Sequence, residues 1–529
     1  MRKLYSKYYY IVFFTINALL IYAYLFKMKV IPLGWDTQFH LNRIEELYRS
    51  IQAGHIFSST GTYAFSQIGL AINHFYPYLF LYPFSILRGG TYVDPIVAYN
   101  ICSFLITLVS FFISYYVMRD IFGTKKVAFL FSILYNNGGY LLLQISQRGD
   151  IAEYIALIFL PLIFMGYEKL FDYNSKKWLW LSIGMICVGY AHILSTIIFS
   201  FFLVCLLVLD HRQINLLIAR RLVISAFLAF LVCLPMLLTM IRAKMKVPII
   251  VPIVPDTLIN EAIKPSDLII NSVNNMVPND LLAVNLGFIT FIAGIFGLLV
   301  YLTKDRLMSR IESVGLLFLL LSTKLFPWFL LQKTPIHIIQ FPWRFLGIST
   351  FCFSLVIANL IGNKLRDSNS IIVLLYLVSC LVSISYMYQY THTNGIGFAN
   401  QKNYTEIATS AVYTDYMPAK TLIGMDKAKV FRSALDVHKH IAVVNGRKVH
   451  LKKNQIGSQY NVISYKLNNL QKGKVNKVIL PVLNYGRNYS TKGVRVESSV
   501  KGETLVSFTP YKSTQTVTIY LKSSFVKLS

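Results

Sequence analysis

The sequence predicts a polytopic α-helical membrane protein with an extracytoplasmic β-rich domain at its C-terminal end. Three observations lead there. Of 529 residues, 55% are hydrophobic and only 14% charged, with a mean hydropathy of +0.53, whereas soluble domains carry about 25% charged residues. Apolar runs of roughly 18 to 20 residues, enough to cross a hydrocarbon core of about 30 Å, recur from Tyr8 into the 380s. Beyond Gln389 the pattern changes to the alternation of a strand. A soluble globular enzyme is excluded by this composition.

Taken in order, the apolar runs fall near 8–26, 96–118, 127–143, 151–167, 177–190, 193–209, 222–240, 285–303, 313–331, 344–362 and 370–388, eleven in all. The stretch from Trp178 to Leu209 also reads as one long helix; Gly189-Tyr190-Ala191-His192 offers the break that makes it two. The first run follows Arg2, Lys3 and Lys7 and ends at Lys27-Met28-Lys29 without a small-residue cleavage site, so it reads as a retained span.

Short cytoplasmic loops collect Lys and Arg. With the N-terminus inside, alternate segments hold Arg2, Lys3, Lys7; Arg119, Lys125, Lys126; Lys169, Lys176, Lys177; Arg212, Arg220, Arg221; Lys304, Arg306, Arg310; and Lys364 with Arg366. The short outer loops hold Arg148 and Lys333, with Arg344 at a span boundary. This parity puts residues 28–95, 241–285 and the whole tail outside. The division expected is therefore a transmembrane domain over 1–389 and an extracytoplasmic β domain over 390–529.

The tail reads as a compact β fold, a sandwich by expectation. Ile463-Ser464-Tyr465-Lys466-Leu467, Val494-Arg495-Val496 and Val517-Thr518-Ile519-Tyr520-Leu521 alternate, and Asn445-Gly446 is a hairpin signal. It holds 21 of the 51 basic residues and 6 of the 23 acidic ones, a large share of the net +28. Because the basic residues sit in short loops and in this tail, they suit membrane lipids and an anionic envelope, and nucleic acid is not expected as a partner. All six cysteines (Cys102, Cys187, Cys205, Cys233, Cys352, Cys380) lie in apolar runs, which leaves no disulfide framework or thiolate metal site.

Candidate chemistry gathers on the outer side. Asp36, in Gly34-Trp35-Asp36-Thr37-Gln38-Phe39-His40-Leu41-Asn42-Arg43-Ile44, follows the first span at the water interface. There a carboxylate can stay ionised, accept a proton from a hydroxyl or hold a divalent cation; a loop or capping role is the alternative. In Gln147-Arg148-Gly149-Asp150-Ile151-Ala152-Glu153, Asp150 and Glu153 are three apart and can share a helical face. With Arg148 they suit a cation and a phosphate, or a plain interfacial salt-bridge cluster. His192 opens the sixth span, and Gln340-Phe341-Pro342-Trp343-Arg344-Phe345 precedes the tenth, where Trp343 and Arg344 also suit interfacial anchors. Lys324, placed inside the ninth span, is within snorkelling distance of the outer surface or of a lipid phosphate. A transporter more often places ionisable groups at the midplane.

These residues resemble the bacterial membrane family labelled "6-pyruvoyl-tetrahydropterin synthase related", similar to YfhO-like proteins and to the C-type glycosyltransferase fold. The resemblance rests on Asp36 in its Trp-Asp-x-x-x-His-Leu-x-Arg-Ile setting, Tyr76-Pro77, Arg148 to Glu153 leading to Leu160-Pro161, His192, Gln340 to Arg344, and Asp415-Tyr416-Met417-Pro418. It implies a membrane transferase taking sugar from a polyprenyl-phosphate donor to an envelope polymer or glycolipid on the outer face of the cell membrane. Asp36, Glu153 and His192 are then the candidate catalytic residues. His40, Arg43, Arg148, Asp150, Lys324 and Arg344 are the candidate substrate-binding residues. The first outer loop lacks an Asp-x-Asp or Glu-x-Asp pair, so a divalent cation on Asp36, Asp150 and Glu153 stays an open question. The competing class is a flippase or export component for lipid-linked saccharides.

Overall fold

The computed structural model describes residues 2–58, 60–89, 93–252, 257–277, 284–303, 305–365, 368–392, 395–423 and 435–521. Two compact units emerge: one of residues 1–37, 96–233 and 254–400, the other of 38–95, 234–253 and 401–529. Where composition places one boundary near 390, the second unit thus also takes in the first long loop and the segment after Cys233.

The helices run α1 (Arg2–Met28), α2 (Thr37–Gln52), α3 (Tyr82–Arg88), α4 (Pro95–Phe122), α5 (Lys125–Asn136), α6 (Gly139–Ile145), α7 (Ile151–Glu168), α8 (Leu179–Ala191), α9 (Ile193–Leu209), α10 (Leu216–Lys246), α11 (Leu258–Glu261), α12 (Pro265–Val273), α13 (Phe288–Gly297), α14 (Val300–Thr303), α15 (Arg306–Ser322), α16 (Leu346–Asn359), α17 (Ser368–His392) and α18 (Tyr404–Ile407). Among the described residues, six helices are long and apolar enough to cross a membrane: those holding Tyr8–Met28, Pro95–Phe122, Ile151–Glu168, Leu216–Lys246, Pro342–Lys364 and Asn369–His392. Shorter apolar helices cover 179–191, 193–209 and 288–302.

In the first unit, α7 and α16 are buried along most of their length; α10, only part of which belongs to this unit, is apolar and little buried, as suits a helix facing lipid. α7 packs on α8, α16 on α5, α13 and α15, and α1 on α17. The break expected at Gly189 to His192 is present: α8 ends at Ala191, His192 is extended (φ −152°, ψ 111°) and α9 starts at Ile193. The run expected over 127–143 is interrupted at Asn137-Gly138. There the backbone N–H of Gly139 donates to the Leu286 carbonyl, and a Cβ on Gly139 would collide with Gly287.

The expectation for Lys324 needs correction. The helix of the ninth run spans Arg306–Ser322, capped by Asp305, whose Oδ1 accepts from the Met308 N–H at 3.2 Å. Thr323 is extended and bridges to Ile263, so Lys324 lies outside the helix, in a turn, with its N–H donating to the Ile263 carbonyl. Pro327 keeps the helix from resuming, since the residue before a proline disfavours helical geometry. Of the outer segment 241–285, the described part holds the end of α10 with α11 and α12; Pro255 and Pro278 fall outside the described residues, as do Lys304 and Arg366 of the charge count.

The second unit contains two antiparallel sheets. One is five-stranded, built from β3 (Ile441–Val444), β4 (Arg447–His450), β7 (Asn476–Leu483), β9 (Arg495–Ser498) and β10 (Glu503–Phe508) in the order β4-β3-β7-β10-β9. The other is four-stranded, from β5 (Ile456–Gln459), β6 (Val462–Leu467), β8 (Asn488–Ser490) and β11 (Gln515–Leu521) in the order β5-β6-β11-β8. Alternation puts Ile463, Tyr465, Val478, Leu480, Val506, Val517 and Ile519 into one shared apolar cluster. Asn445 and Gly446 turn the β3–β4 hairpin with φ of +48° and +87°, the left-handed values that a tight two-residue turn demands. A separate two-stranded pair, β1 (Ile31–Pro32) with β2 (Phe398–Ala399), belongs to the first unit.

Candidate functional site

Two loop segments distant in sequence meet by backbone pairing. The Trp35 N–H donates to the Gln147 carbonyl at 2.9 Å, and the Asp36 N–H to the Arg148 carbonyl at 2.8 Å. So close an approach requires glycine on both sides. A Cβ on Gly34 would strike the carbonyl oxygens of Ser146 and Gln147, and Gly149, at φ +63°, lies directly against the Thr37 hydroxyl.

This pairing aligns the charged side chains. Arg148 Nε lies 3.1 Å from Asp36 Oδ2, and its Nη2 3.6 Å from Asp150 Oδ2. Asp150 also caps α7, its Oδ1 accepting from the N–H groups of Ala152 and Glu153, each at 3.1 Å. One turn in, Glu153 accepts from the Tyr140 hydroxyl and from Gln144 Nε2 at 3.1 Å, and lies 3.3 Å from Arg344 Nε. Arg344 is steadied by the Ile339 carbonyl at 3.0 Å and Gln340 Oε1 at 2.9 Å. Asp36, Arg148, Asp150, Glu153 and Arg344 therefore form one chain of charge.

The environment is aromatic and largely dry. The Arg148 guanidinium sits 5.0 Å from the Trp343 ring centre and 5.9 Å from that of Trp35, and Arg344 5.0 Å from that of Phe341, distances that allow cation–π attraction. The side chains of Arg148, Asp150, Glu153 and Arg344 are buried, whereas Asp36 retains 29% exposure. Burial works against the charge on Arg148, but the fields of Asp36, Asp150 and Glu153 together outweigh it and push its pKa up. Arg148 stays protonated, and Asp36 is the carboxylate of this chain that meets solvent.

His192, at the break between α8 and α9, has its Nδ1 2.8 Å from the Ser195 hydroxyl. Ligand atoms of Asp150, Glu153 and His192 all lie within 4.8 Å of one another, and all three residues are buried. Oxygen and imidazole donors in that number fit a divalent cation. Asp36, expected among the ligands, is not in this group; its nearest charged partner is Arg148.

Not every candidate joins the cluster. Arg43, fully buried in the second unit, donates to the carbonyls of Tyr76 and Pro77 at 3.1 and 2.5 Å and stacks 4.4 Å from the Tyr76 ring, so its guanidinium holds the Tyr76-Pro77 loop. His40 is buried beside Phe39 and Tyr76 in the same unit. Lys324 lies in the turn beside Ile263, where its charge acts on Glu261. Sequence reading missed Tyr140, Gln144 and Ser195. Gln144, at the end of one apolar run, and Ser195, inside another, are polar where their neighbours are apolar, the signal that could have found them.

No family model matches the sequence, and a search of curated proteins finds no match. Solved structures similar to this chain include the arabinofuranosyltransferase AftD from Mycobacteria, at 15% identity and a TM-score of 0.44, over 71% of this chain and 27% of that one. Another is the Archaeoglobus fulgidus oligosaccharyltransferase in its apo form, at 12% identity and a TM-score of 0.44, over 79% of this chain and 58% of that one. The chain thus matches less than two thirds of the length of either structure.

Proposed function

We propose that this chain is a membrane glycosyltransferase that moves a sugar from a polyprenyl-phosphate donor to an envelope polymer or glycolipid on the outer face of the cell membrane. The observation that carries the proposal is the Asp36–Arg148 pair: a solvent-open carboxylate anchored at 3.1 Å to a buried, permanently charged guanidinium. The acceptor oxygen attacks the anomeric carbon, the bond from that carbon to the phosphate oxygen breaks, and the electron pair leaves on the phosphate. Asp36 takes the proton of the acceptor hydroxyl, and a single displacement of this kind is inverting in type. Arg148 and Arg344 contribute positive charge where the phosphate becomes more negative, the effect that dominates in a dry, preorganised site.

Three carboxylates against two guanidiniums leave the cluster at a formal −1 with neutral His192. A divalent cation on Asp150, Glu153 and His192 would reverse that sign and supply further charge to the phosphate. Lys324 is a candidate for a more distant lipid phosphate. His40 and Arg43, the other candidate substrate-binding residues, act on this reading by shaping the first loop, Arg43 through the Tyr76 and Pro77 carbonyls.

The test is sugar transfer by purified protein in lipid nanodiscs with a polyprenyl-phosphate sugar. Asp36→Asn is expected to abolish turnover while donor binding persists. Arg148→Ala weakens donor binding about ten- to a hundred-fold, the worth of a charged hydrogen bond. Movement of lipid-linked saccharide without any transfer would replace this reading with the transport one. Orientation is checked separately: an outside-only thiol reagent should label a cysteine at position 450 and spare one at 308.

A further inference from the structure

The second unit contains a cleft that the transfer chemistry does not use. α2 is amphipathic: Ile44, Leu47 and Ser50 are buried, while Glu45, Tyr48, Arg49 and Gln52, spaced i, i+3, i+4, i+7, share the opposite face. With Tyr63 and Arg88 they line an open cleft of about 500 Å³.

Its construction is specific. Glu45 is 2% exposed at the cleft floor, with Arg49 Nε at 2.8 Å and Arg88 Nε at 3.6 Å. Each guanidinium faces a tyrosine ring, Arg88 at 4.4 Å from Tyr48 and Arg49 at 5.9 Å from Tyr63. Tyr63 is itself held in place, because the buried Glu46 carboxylate accepts from the N–H groups of Thr62, Tyr63 and Ala64 at 3.1, 2.8 and 2.8 Å.

Two guanidiniums against one carboxylate leave the cleft a formal +1. Both arginines approach Glu45 most closely through Nε, and both remain partly exposed, at 34% and 21%. An arginine fork suits a carboxylate or phosphate, partly exposed tyrosine rings suit the apolar face of a sugar, and the exposed Gln52 amide can both donate to and accept from hydroxyls. We infer that this cleft binds an acidic saccharide, a sugar unit bearing a carboxylate or phosphate, as an acceptor-docking subsite. The acceptor part of this inference rests on the transferase reading; the binding part stands without it.

The experiment is calorimetric titration of full-length protein in nanodiscs with trigalacturonate, glucose 6-phosphate, maltotriose and inorganic phosphate. At least one acidic sugar is expected to bind, with maltotriose and phosphate at least tenfold weaker. Arg49→Gln, whose amide can still donate to Glu45, should weaken binding about tenfold, and Tyr63→Leu several-fold, each compared at a temperature below its own melting point. No binding of either acidic sugar, equal binding of maltotriose or phosphate, or full affinity in Arg49→Gln would overturn the inference. Asp36→Asn should bind the acidic sugar as the native protein does. Transfer without acidic-sugar binding removes the cleft and leaves the transferase reading; binding without transfer does the reverse.

Discussion

Arg148 joins two carboxylates from different parts of the chain, Asp36 at 3.1 Å and Asp150 at 3.6 Å, and one of the two is open to solvent while the other caps α7. The arginine thereby ties the position of a solvent-facing acid to the start of a buried helix.

That link makes the two residues act as a unit. In single-turnover assays at saturating donor, Asp36→Asn should leave no measurable transfer, and Arg148→Ala should slow transfer strongly even with the donor bound. An Arg148→Ala rate fully restored by saturating donor would confine Arg148 to donor binding and break its link to Asp36.

The pairing of the loops depends on Gly149. Alanine there must adopt φ +63° with its Cβ against Thr37, a strain of roughly 1–3 kcal/mol before any collision is counted. Gly149→Ala should lower both thermal stability and transfer, whereas Gly54→Ala, where a Cβ meets nothing within 4 Å, should leave transfer untouched. Equal transfer by the two variants would discount the close approach.

Arg344 and Glu153 form a buried pair at 3.3 Å. Removing one partner of such a pair costs about 3–5 kcal/mol, since the other is left uncompensated. Arg344→Ala should therefore destabilise the protein strongly, and adding Glu153→Gln should recover part of the loss, as read from melting in detergent. No recovery would place the cost in lost packing on Phe341.

A cation site on Asp150, Glu153 and His192 predicts direct Mn²⁺ binding, detectable by electron paramagnetic resonance of the purified protein. His192→Ala should weaken it about ten- to a hundred-fold, in line with losses on disturbing a metal site, and chelation should suppress transfer. Unaltered Mn²⁺ affinity in His192→Ala would dismiss this ligand set.

Glu46 predicts a pH dependence in the second unit. Burial raises its pKa from 4.5 to about 7, against the opposing effect of three backbone N–H groups. A carboxyl raised on folding binds more protons folded than unfolded, so its contribution is complete below about 4.5 and declines as pH rises through about 7. The whole span is about 3 kcal/mol. Melting between pH 4.5 and 7.5 should fall more steeply in the native protein than in Glu46→Gln; parallel curves would refute it.

Much of this protein is legible residue by residue. Apolar runs locate α1, α4, α7, α9 and α17, the Gly189 to His192 break appears where its residues suggest, and alternation with Asn445-Gly446 finds β3, β4, β6 and β11. Those features depend on local backbone geometry and on which face of one element is apolar. Asp150 and Glu153 likewise share the start of one helix because three residues make nearly one turn. What only tertiary structure decided is the rest of the site. Asp36 reaches Arg148 because Gly34 and Gly149 let two distant loops pair, and Arg344 reaches Glu153 because the Pro342–Phe345 turn leads into α16, a central helix. Tyr140 and Gln144 complete it from α6, whose start packs directly on Gly287 because residue 139 is glycine. The same long-range packing keeps Arg43 on the Tyr76-Pro77 carbonyls and Lys324 in a turn beside Ile263. Periodicity in one segment holds no information about which other segment will satisfy its buried charges, because that depends on how backbones approach across the fold.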